Sequence, residues 1–131
     1  MANTLKKIER LKHDTQIKEV FSSGIRFMEY PIRVNYAFLT SEITDSVPVK
    51  VLIGCSKRGV KKAVHRNRIK RLIREVYRCN NNELNSFVES ANAQLGLSLI
   101  FIGNEMPDFE YIDKKINKAL VRLLKNLSKD E

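Results

Sequence analysis

Hydrophobic positions near the start of the chain recur with a helical period. In residues 14–23, Ile17, Val20 and Phe21 fall on one face of a helix. A small polar residue at position 14 or 15 suits the N-cap of this helix, and Gly24 suits a left-handed stop after it. The pattern therefore predicts a short amphipathic helix that ends close to Ser23.

The next segments change to the two-residue period of strands. Residues 32–39 largely alternate, and residues 49–55 alternate in the same way. The apolar positions of the first of these strands are Ile32, Val34, Tyr36 and Phe38. A shorter strand at residues 26–29 precedes it, with a break at Pro31, and residues 41–48 read as a polar turn.

The second half of the chain returns to helical spacing with one further strand. Residues 79–87 are polar and weakly helical, and apolar residues continue at helical spacing as far as Leu95. The apolar run at residues 97–102 is short enough for a buried strand. From Asp108 onward a longer helix is expected, because its apolar residues form one stripe. This stripe consists of Ile112, Ile116, Ala119, Leu120, Leu123 and Leu127. Together with a basic helix in the middle, the order predicts an α+β sandwich with helices packed on one sheet.

Length and composition agree with one globular domain over residues 1–131. The chain is 43% hydrophobic and 30% charged, which suits a packed core and not a disordered chain. The sequence has no apolar run of transmembrane length and no secretory apolar region near its start, so we expect a cytoplasmic protein without membrane association. Cys55 and Cys79 form neither a disulfide framework nor a zinc motif, and are expected to be ordinary thiols.

The net charge is concentrated in one segment. Residues 57–78 hold ten of the 24 Lys and Arg residues and a single acid, Glu75. This segment therefore carries the whole formal charge of +9, and the other 14 basic residues balance the other 14 acidic ones. Because such self-repulsion has no benefit for folding, the segment indicates a polyanionic partner, most commonly a nucleic acid.

The basic segment reads as a helix with two faces. Ile69, Leu72, Ile73 and Val76 form an apolar stripe that fits against a sheet. On the opposite side lie Asn67, Lys70, Arg71, Arg74 and Arg78, with Arg66 and Arg68 at the borders; we call these seven residues the basic face. Lys57, Arg58, Lys61 and Lys62 occupy the preceding loop, which we call the basic loop. Together they fit a phosphate backbone, although a solvated charged face, a calmodulin target or a membrane-surface helix has a similar pattern.

A specific string lies within this segment. Arg66-Asn67-Arg68 is followed by Lys70-Arg71 and Arg74, and preceded by a Lys-rich turn and Ala63. Upstream stand Arg10-Leu11-Lys12 and a Val-Phe-x-x-Gly pattern at residues 20–24. In these two blocks and in the order of its elements, the chain resembles the bacterial ribonuclease P protein component.

The resemblance implies an αβββαβα fold in which the Arg-Asn-Arg helix lies in a left-handed βαβ crossover. It also implies a partner, a catalytic RNA, and a substrate, precursor tRNA, whose 5′ leader the complex removes. The metal ions of that reaction, expected to be Mg²⁺, are held on RNA, so the protein carries no cofactor, metal or catalytic residue of its own. No obligate protein partner is implied.

Within this resemblance, RNA binding falls to the basic face and the basic loop, and leader binding to a cleft between the first helix and the sheet. The expected cleft residues are Lys12, Phe21, Arg33 and Tyr36. Core packing is the alternative for Phe21 and Tyr36, and ordinary surface charge is the alternative for Lys12 and Arg33. Ile17 stands where the family commonly has an aromatic residue.

Two other classes of function remain possible from the sequence. A ribosomal or other structural RNA-binding protein would use the same basic helix without turnover. A self-sufficient nuclease needs a base and nucleophile or a pair of metals, and neither His13 nor His65 has a readable catalytic partner. The acidic cluster that resembles a metal site consists of Asp108, Glu110 and Asp113. The electrostatics of a helix start explain this cluster more simply than a metal site does.

Overall fold

The computed structural model describes residues 9–40 and 47–129 of the protein. Its elements in chain order are α1 (Asp14–Ser22), β1 (Ile25–Glu29), β2 (Ile32–Phe38), β3 (Val49–Cys55), α2 (Ala63–Asn80), α3 (Asn82–Ser90), β4 (Leu95–Phe101) and α4 (Phe109–Lys129). The predicted α+β class is confirmed. Most of the polar turn predicted at residues 41–48 lies outside the described residues.

The four strands form one sheet in the order β1-β2-β4-β3. β2 pairs antiparallel with both β1 and β4, whereas β3 pairs in parallel with β4. A parallel neighbour requires a crossover connection, and the chain makes it through α2 and α3. The left-handed sense implied for this crossover stays a prediction.

One face of the sheet carries the main hydrophobic core. The residues of alternating strand positions, such as Val34, Leu97 and Val51, are buried on this face. The α4 helix packs here, because its Arg122 guanidinium lies 4.6 Å from the centre of the Phe27 ring. The predicted stripe of α4 is buried throughout, as are the inward residues of α2.

The α1 helix packs on the other face of the sheet. Val20 of α1 lies over Gly96 of β4, whose neighbour Leu97 points into the main core. The interface beneath α1 is partly polar, since Gln16, Asn35 and Ser98 are buried there. Helices therefore cover both faces of the sheet, with α1 on one face and α2, α3 and α4 on the other.

The end of α1 differs in detail from the sequence prediction. Gly24 does not have the positive φ of a left-handed stop. Instead, a Cβ at this position would lie 2.1 Å from the carbonyl oxygen of Val20 and 2.7 Å from that of Tyr36. Glycine is required because two backbone segments approach it closely.

The structure contains one helix, α3, that the expected αβββαβα order lacks. It occupies the middle of the weakly helical segment, where Leu84 and Val88 are fully buried. These two residues join the main core beside α4 and β3. The long connection between α2 and β4 thus contributes to the core.

Candidate nucleic-acid interface

The basic loop leaves the end of β3 and is attached to the neighbouring strand. The amide of Ser56 donates to the carbonyl of Phe101 at 2.8 Å, and Val60 is buried. Gly59 packs so closely on Gly103 that a Cβ would lie 2.2 Å from the Gly103 carbonyl oxygen. This anchoring leaves four side chains exposed to solvent, namely Lys57, Arg58, Lys61 and Lys62.

The α2 helix has the two faces that the sequence predicts. Ile69, Ile73 and Val76 are buried against the sheet, and Leu72 packs at the edge of the core. All seven residues of the basic face are exposed or half-buried. The predicted apolar stripe missed Tyr77, which is fully buried four residues after Ile73, a spacing from which it was predictable.

Arg66 has a structural contact as well as a place at the border of the basic face. Its Nη1 donates to the carbonyl oxygen of Val60 at 2.9 Å and to that of Lys61 at 2.7 Å. The guanidinium thereby joins the first turn of α2 to the basic loop. We infer that Arg66 sets the position of Lys61 and Lys62 relative to the helix.

Arg78 at the other end of α2 is paired within the helix. Its Nε donates to Glu75 Oε2 at 3.0 Å, and its Nη2 bonds the other carboxylate oxygen. This hydrogen-bonded pairing raises the pKa of Arg78. Because Glu75 neutralises it, Arg78 offers less free charge to a phosphate than Arg68 or Arg71.

Arg74 is half-buried and lies beside the edge of the sheet. It lines a cavity of about 160 Å³ together with Arg10, Lys12 and the middle of β3. Burial lowers the pKa of Arg74, and the neighbouring charges of Arg10 and Arg71 lower it further. The cations in this region repel one another, which favours an anion between them.

The sequence did not predict Arg10 as a residue of the candidate interface. It forms an isolated parallel bridge with Val51, which carries the N-terminal segment along the free edge of β3. The amide of Leu11 donates to the carbonyl of Val51 at 2.9 Å and continues this pairing. The Arg10-Leu11-Lys12 string gave a signal, but its position beside α2 depends on tertiary pairing.

Tyr36 is not in the predicted leader cleft, and this prediction is wrong. Its side chain is 3% exposed and belongs to the main core. Its ring meets the Phe27 ring edge to face at 6.2 Å between centroids, on the face covered by α4. Because α1 covers the opposite face, Tyr36 cannot contact a strand of RNA bound between α1 and the sheet.

The other three predicted cleft residues lie on the outside of the core. Phe21 is 43% exposed near the end of α1, and Lys12 is exposed before its start. Arg33 is half-buried and belongs to the same sheet face as Asn35, which lies beneath α1. Arg26 pairs with Asn35 across β1 and β2, is exposed, and adds a cation that sequence reasoning missed.

The acidic residues at the start of α4 behave as helix-start residues. Asp108 Oδ1 accepts a hydrogen bond from the amide of Tyr111 at 2.8 Å, which caps the helix. Within residues 9–40 and 47–129, no group of three or more His, Cys, Asp or Glu residues is placed to hold a metal ion. In the same ranges, no helix is long and apolar enough to cross a membrane.

Comparison with known proteins identifies the family. The family model for Ribonuclease P matches residues 5–126. The chain belongs to the ribonuclease P protein family. It is 35% identical over 123 residues to the ribonuclease P protein component of Porphyromonas gingivalis, covering 94% of this chain and 88% of that protein. Membership implies a place in an endoribonuclease holoenzyme with an RNA partner and a part in tRNA processing.

Two solved structures share the fold at lower identity. The ribonuclease P protein of Staphylococcus aureus has a TM-score of 0.64 at 20% identity, covering 88% of this chain and 94% of that chain. The ribonuclease P protein of Thermotoga maritima has a TM-score of 0.63 at 20% identity, covering 87% of this chain and 96% of that chain. These structural matches confirm the predicted α+β fold.

Proposed function

We propose that this chain is the protein subunit of ribonuclease P, which binds the catalytic RNA and the 5′ leader of precursor tRNA. In this proposal it assists the endonucleolytic removal of the leader that creates the mature 5′ end. The observation that carries it is the basic face of α2, whose cations are mostly without acidic neighbours on a helix anchored in the core by Ile69 and Ile73.

The chemistry of the reaction is assigned to the RNA. Phosphodiester hydrolysis needs positioned metal ions or a base–nucleophile pair. We assign the metal ions, expected to be Mg²⁺, to the RNA-containing holoenzyme, with no catalytic residue on the protein. The protein contributes positive charge, which reduces phosphate repulsion and thereby the concentration of Mg²⁺ that folding and cleavage require.

The catalytic RNA and the leader of the substrate contact different faces of the protein. The catalytic RNA binds the basic face of α2 and the basic loop, where Arg68 and Arg71 project into solvent. The unpaired leader binds between α1 and the sheet, where Phe21 offers a ring for stacking and Arg33 a cation. Lys12 and Arg74 line the same cavity at the edge of β3.

This function requires no further protein partner and belongs in the cytoplasm, where precursor tRNA is made in bacteria. A reconstitution assay tests it. Purified protein, a bacterial-type catalytic RNA, and both together are incubated with precursor tRNA at falling Mg²⁺ concentrations. We expect 5′-leader release from the mixture at Mg²⁺ concentrations at which the RNA alone is inactive, and none from the protein alone.

Matched variants connect the assay to the proposed surface. Arg68→Gln with Arg71→Gln removes two charges from the basic face, and Lys118→Gln with Lys125→Gln removes two exposed charges from α4. Only the first pair is expected to raise the Mg²⁺ requirement. Cleavage by RNA-free protein would contradict the proposal, and RNA binding without any effect on cleavage would favour a structural RNA-binding protein.

A further inference from the structure

A second surface with the chemistry of a nucleotide site lies away from α1. A cavity of about 430 Å³ opens between the β1–β2 turn, the segment after β4 and the start of α4. Pro31 and Phe101 line it, and so do three large hydrophobic side chains that are exposed. These are Tyr30, Met106 and Tyr111, with exposed fractions of 56%, 41% and 40%. We call this cavity the tyrosine pocket.

The frame of the tyrosine pocket is held by hydrogen bonds and close packing. The amide of Ile102 donates to the carbonyl of Pro31 at 2.8 Å, which joins the β1–β2 turn to the end of β4. A Cβ on Gly103 would lie 2.8 Å from the Phe101 ring, so glycine allows the chain to pass close to the pocket floor. The cap from Asp108 to the Tyr111 amide fixes the start of α4. The pocket is therefore preformed.

The tyrosine pocket continues into the basic loop. Asn104 and Met106, which line it, also line a second cavity of about 180 Å³. The other walls of that cavity are Gly59, Val60, Lys61, Lys62 and His65. The cavity with exposed aromatic rings thus adjoins a cavity that Lys61 and Lys62 line, and Arg66 bonds the backbone carbonyl of Lys61. Sites for single-stranded nucleic acid combine these two features, a ring for the base and cations for the backbone.

We propose that the tyrosine pocket binds one unpaired nucleobase of RNA, with the adjoining phosphates directed toward Lys61 and Lys62. The pocket is lined by the β1–β2 turn and the β4–α4 connection, so it is separate from the cleft beneath α1. The inference rests on the proposed function, because it assumes that RNA is bound along the basic loop.

Two carboxylates in the pocket define the base further. Glu105 and Asp108 line the cavity and are exposed. A carboxylate accepts hydrogen bonds from the exocyclic amino group of a base, as it does from cytosine, and it repels phosphate. The pocket therefore favours a base with an amino group over uracil, and it places the backbone on the lysine side.

A single-tryptophan reporter tests this assignment. The chain contains no tryptophan, so Tyr111→Trp gives one fluorophore in the pocket, and Val121→Trp gives a matched one on an exposed part of α4. Each is titrated with a short cytidine oligonucleotide, a uridine oligonucleotide, and an abasic oligonucleotide of equal charge. We expect quenching of Trp at position 111 alone, stronger with cytidine than with uridine and weak with the abasic chain.

A second variant measures the contribution to binding. Tyr111→Leu keeps an apolar side chain but removes the ring, and Tyr111→Phe keeps the ring. We expect the leucine variant to lose roughly five- to hundredfold affinity for the cytidine oligonucleotide, the range for one base–aromatic stack, and the phenylalanine variant to lose little. Equal quenching by the abasic chain, or quenching on raising protein concentration without RNA, would overturn the proposal.

The two proposals fail in different ways. If the basic face does not bind catalytic RNA, the wild-type protein gives no Mg²⁺ effect in the cleavage assay, whatever the reporter shows. If only the pocket assignment is wrong, wild type, Tyr111→Leu and Tyr111→Phe support cleavage and bind the cytidine oligonucleotide equally.

Discussion

Val20 of α1 lies directly over the backbone of Gly96 in β4. A Cβ at position 96 would lie 2.5 Å from Val20 Cγ2 and 2.9 Å from Leu39 Cδ2. Val20 is fully buried in this contact. The missing side chain at position 96 therefore determines how closely α1 approaches the sheet, and with it the width of the cleft proposed for the leader.

Gly96→Ala is expected to destabilise the protein by about 1–3 kcal/mol, because the added methyl group overpacks this contact. Val20→Ala in the same chain makes room for the methyl group, so the double variant is expected to be more stable than the sum of the two single effects. Chemical denaturation of the four proteins measures this. Additive effects would show that α1 does not depend on the Val20–Gly96 contact.

The sequence was sufficient to predict the basic helix and its two faces, because two independent patterns agree there. The apolar residues Ile69, Ile73 and Val76 and the cations opposite them follow the same helical period. The sequence was not sufficient to predict whether Tyr36 lies in the core or in the cleft. Alternation shows that Tyr36 shares a face with Val34, but the face that α1 covers is decided by tertiary packing, here by the gap at Gly96.

Contacts between distant segments also explain why the sequence did not predict the roles of Arg10 and Gly24. Arg10 reaches the edge of β3 through a bridge to Val51, a contact between residues 41 positions apart. Gly24 follows α1 as the sequence predicts, but the predicted reason, a left-handed backbone conformation, does not apply. Glycine is needed there because the carbonyl of Tyr36 lies close to it. Local patterns predict elements and their faces, and contacts between distant segments decide the rest.

Neutralising Arg68 and Arg71 together is expected to flatten the salt dependence of RNA affinity. Each phosphate contact releases counterions, so loss of two should reduce the log–log slope by roughly one to two units. Both side chains are exposed, so stability should change by less than about 0.5 kcal/mol. Binding isotherms at several salt concentrations measure the slope, with Lys118→Gln and Lys125→Gln as control. Equal flattening by the control pair would mean diffuse attraction without a defined face.

Arg66→Gln is expected to loosen the basic loop, unlike Arg68→Gln. The first change removes two hydrogen bonds from a charged donor to the carbonyls of Val60 and Lys61, and is expected to cost about 1–2 kcal/mol. Amide hydrogen exchange at Val60, whose N–H bonds the Ser56 carbonyl, should accelerate only in the Arg66 variant. Unchanged exchange would indicate that the loop is held by its own packing on Gly103.

Tyr77 is expected to make the protein sensitive to alkaline pH. Burial raises the pKa of Tyr77, although a hydrogen bond with Asn81 acts in the opposite direction. As pH rises above the ordinary tyrosine pKa of about 10, the unfolded chain loses this proton before the folded one does, so stability falls. The slope from this residue is at most about 1.4 kcal/mol per pH unit. Denaturation at pH 8 to 11 should show a smaller fall for Tyr77→Phe than for wild type; identical falls would assign the effect to other groups.

Replacement by alanine is expected to affect different properties at Phe21 and Tyr36, namely precursor tRNA binding at Phe21 and protein stability at Tyr36. Phe21 is exposed at the proposed leader cleft, so Phe21→Ala should leave the melting temperature nearly unchanged. It should weaken binding of precursor tRNA in the reconstituted complex by about 1–3 kcal/mol and leave mature tRNA unaffected, because only the precursor has an unpaired leader.

Tyr36→Ala is the control variant for Phe21→Ala. Removing the Tyr36 ring from the core, where it meets the Phe27 ring edge to face, should destabilise the protein by about 3–5 kcal/mol, in the range of large aromatic-to-alanine changes. Under conditions in which the variant is folded, its ratio of precursor to mature tRNA affinity should equal that of wild type, since its side chain lies on the face away from α1. A shifted ratio in the Tyr36 variant, with no shift for Phe21→Ala, would place the leader on a different surface from the one between α1 and the sheet.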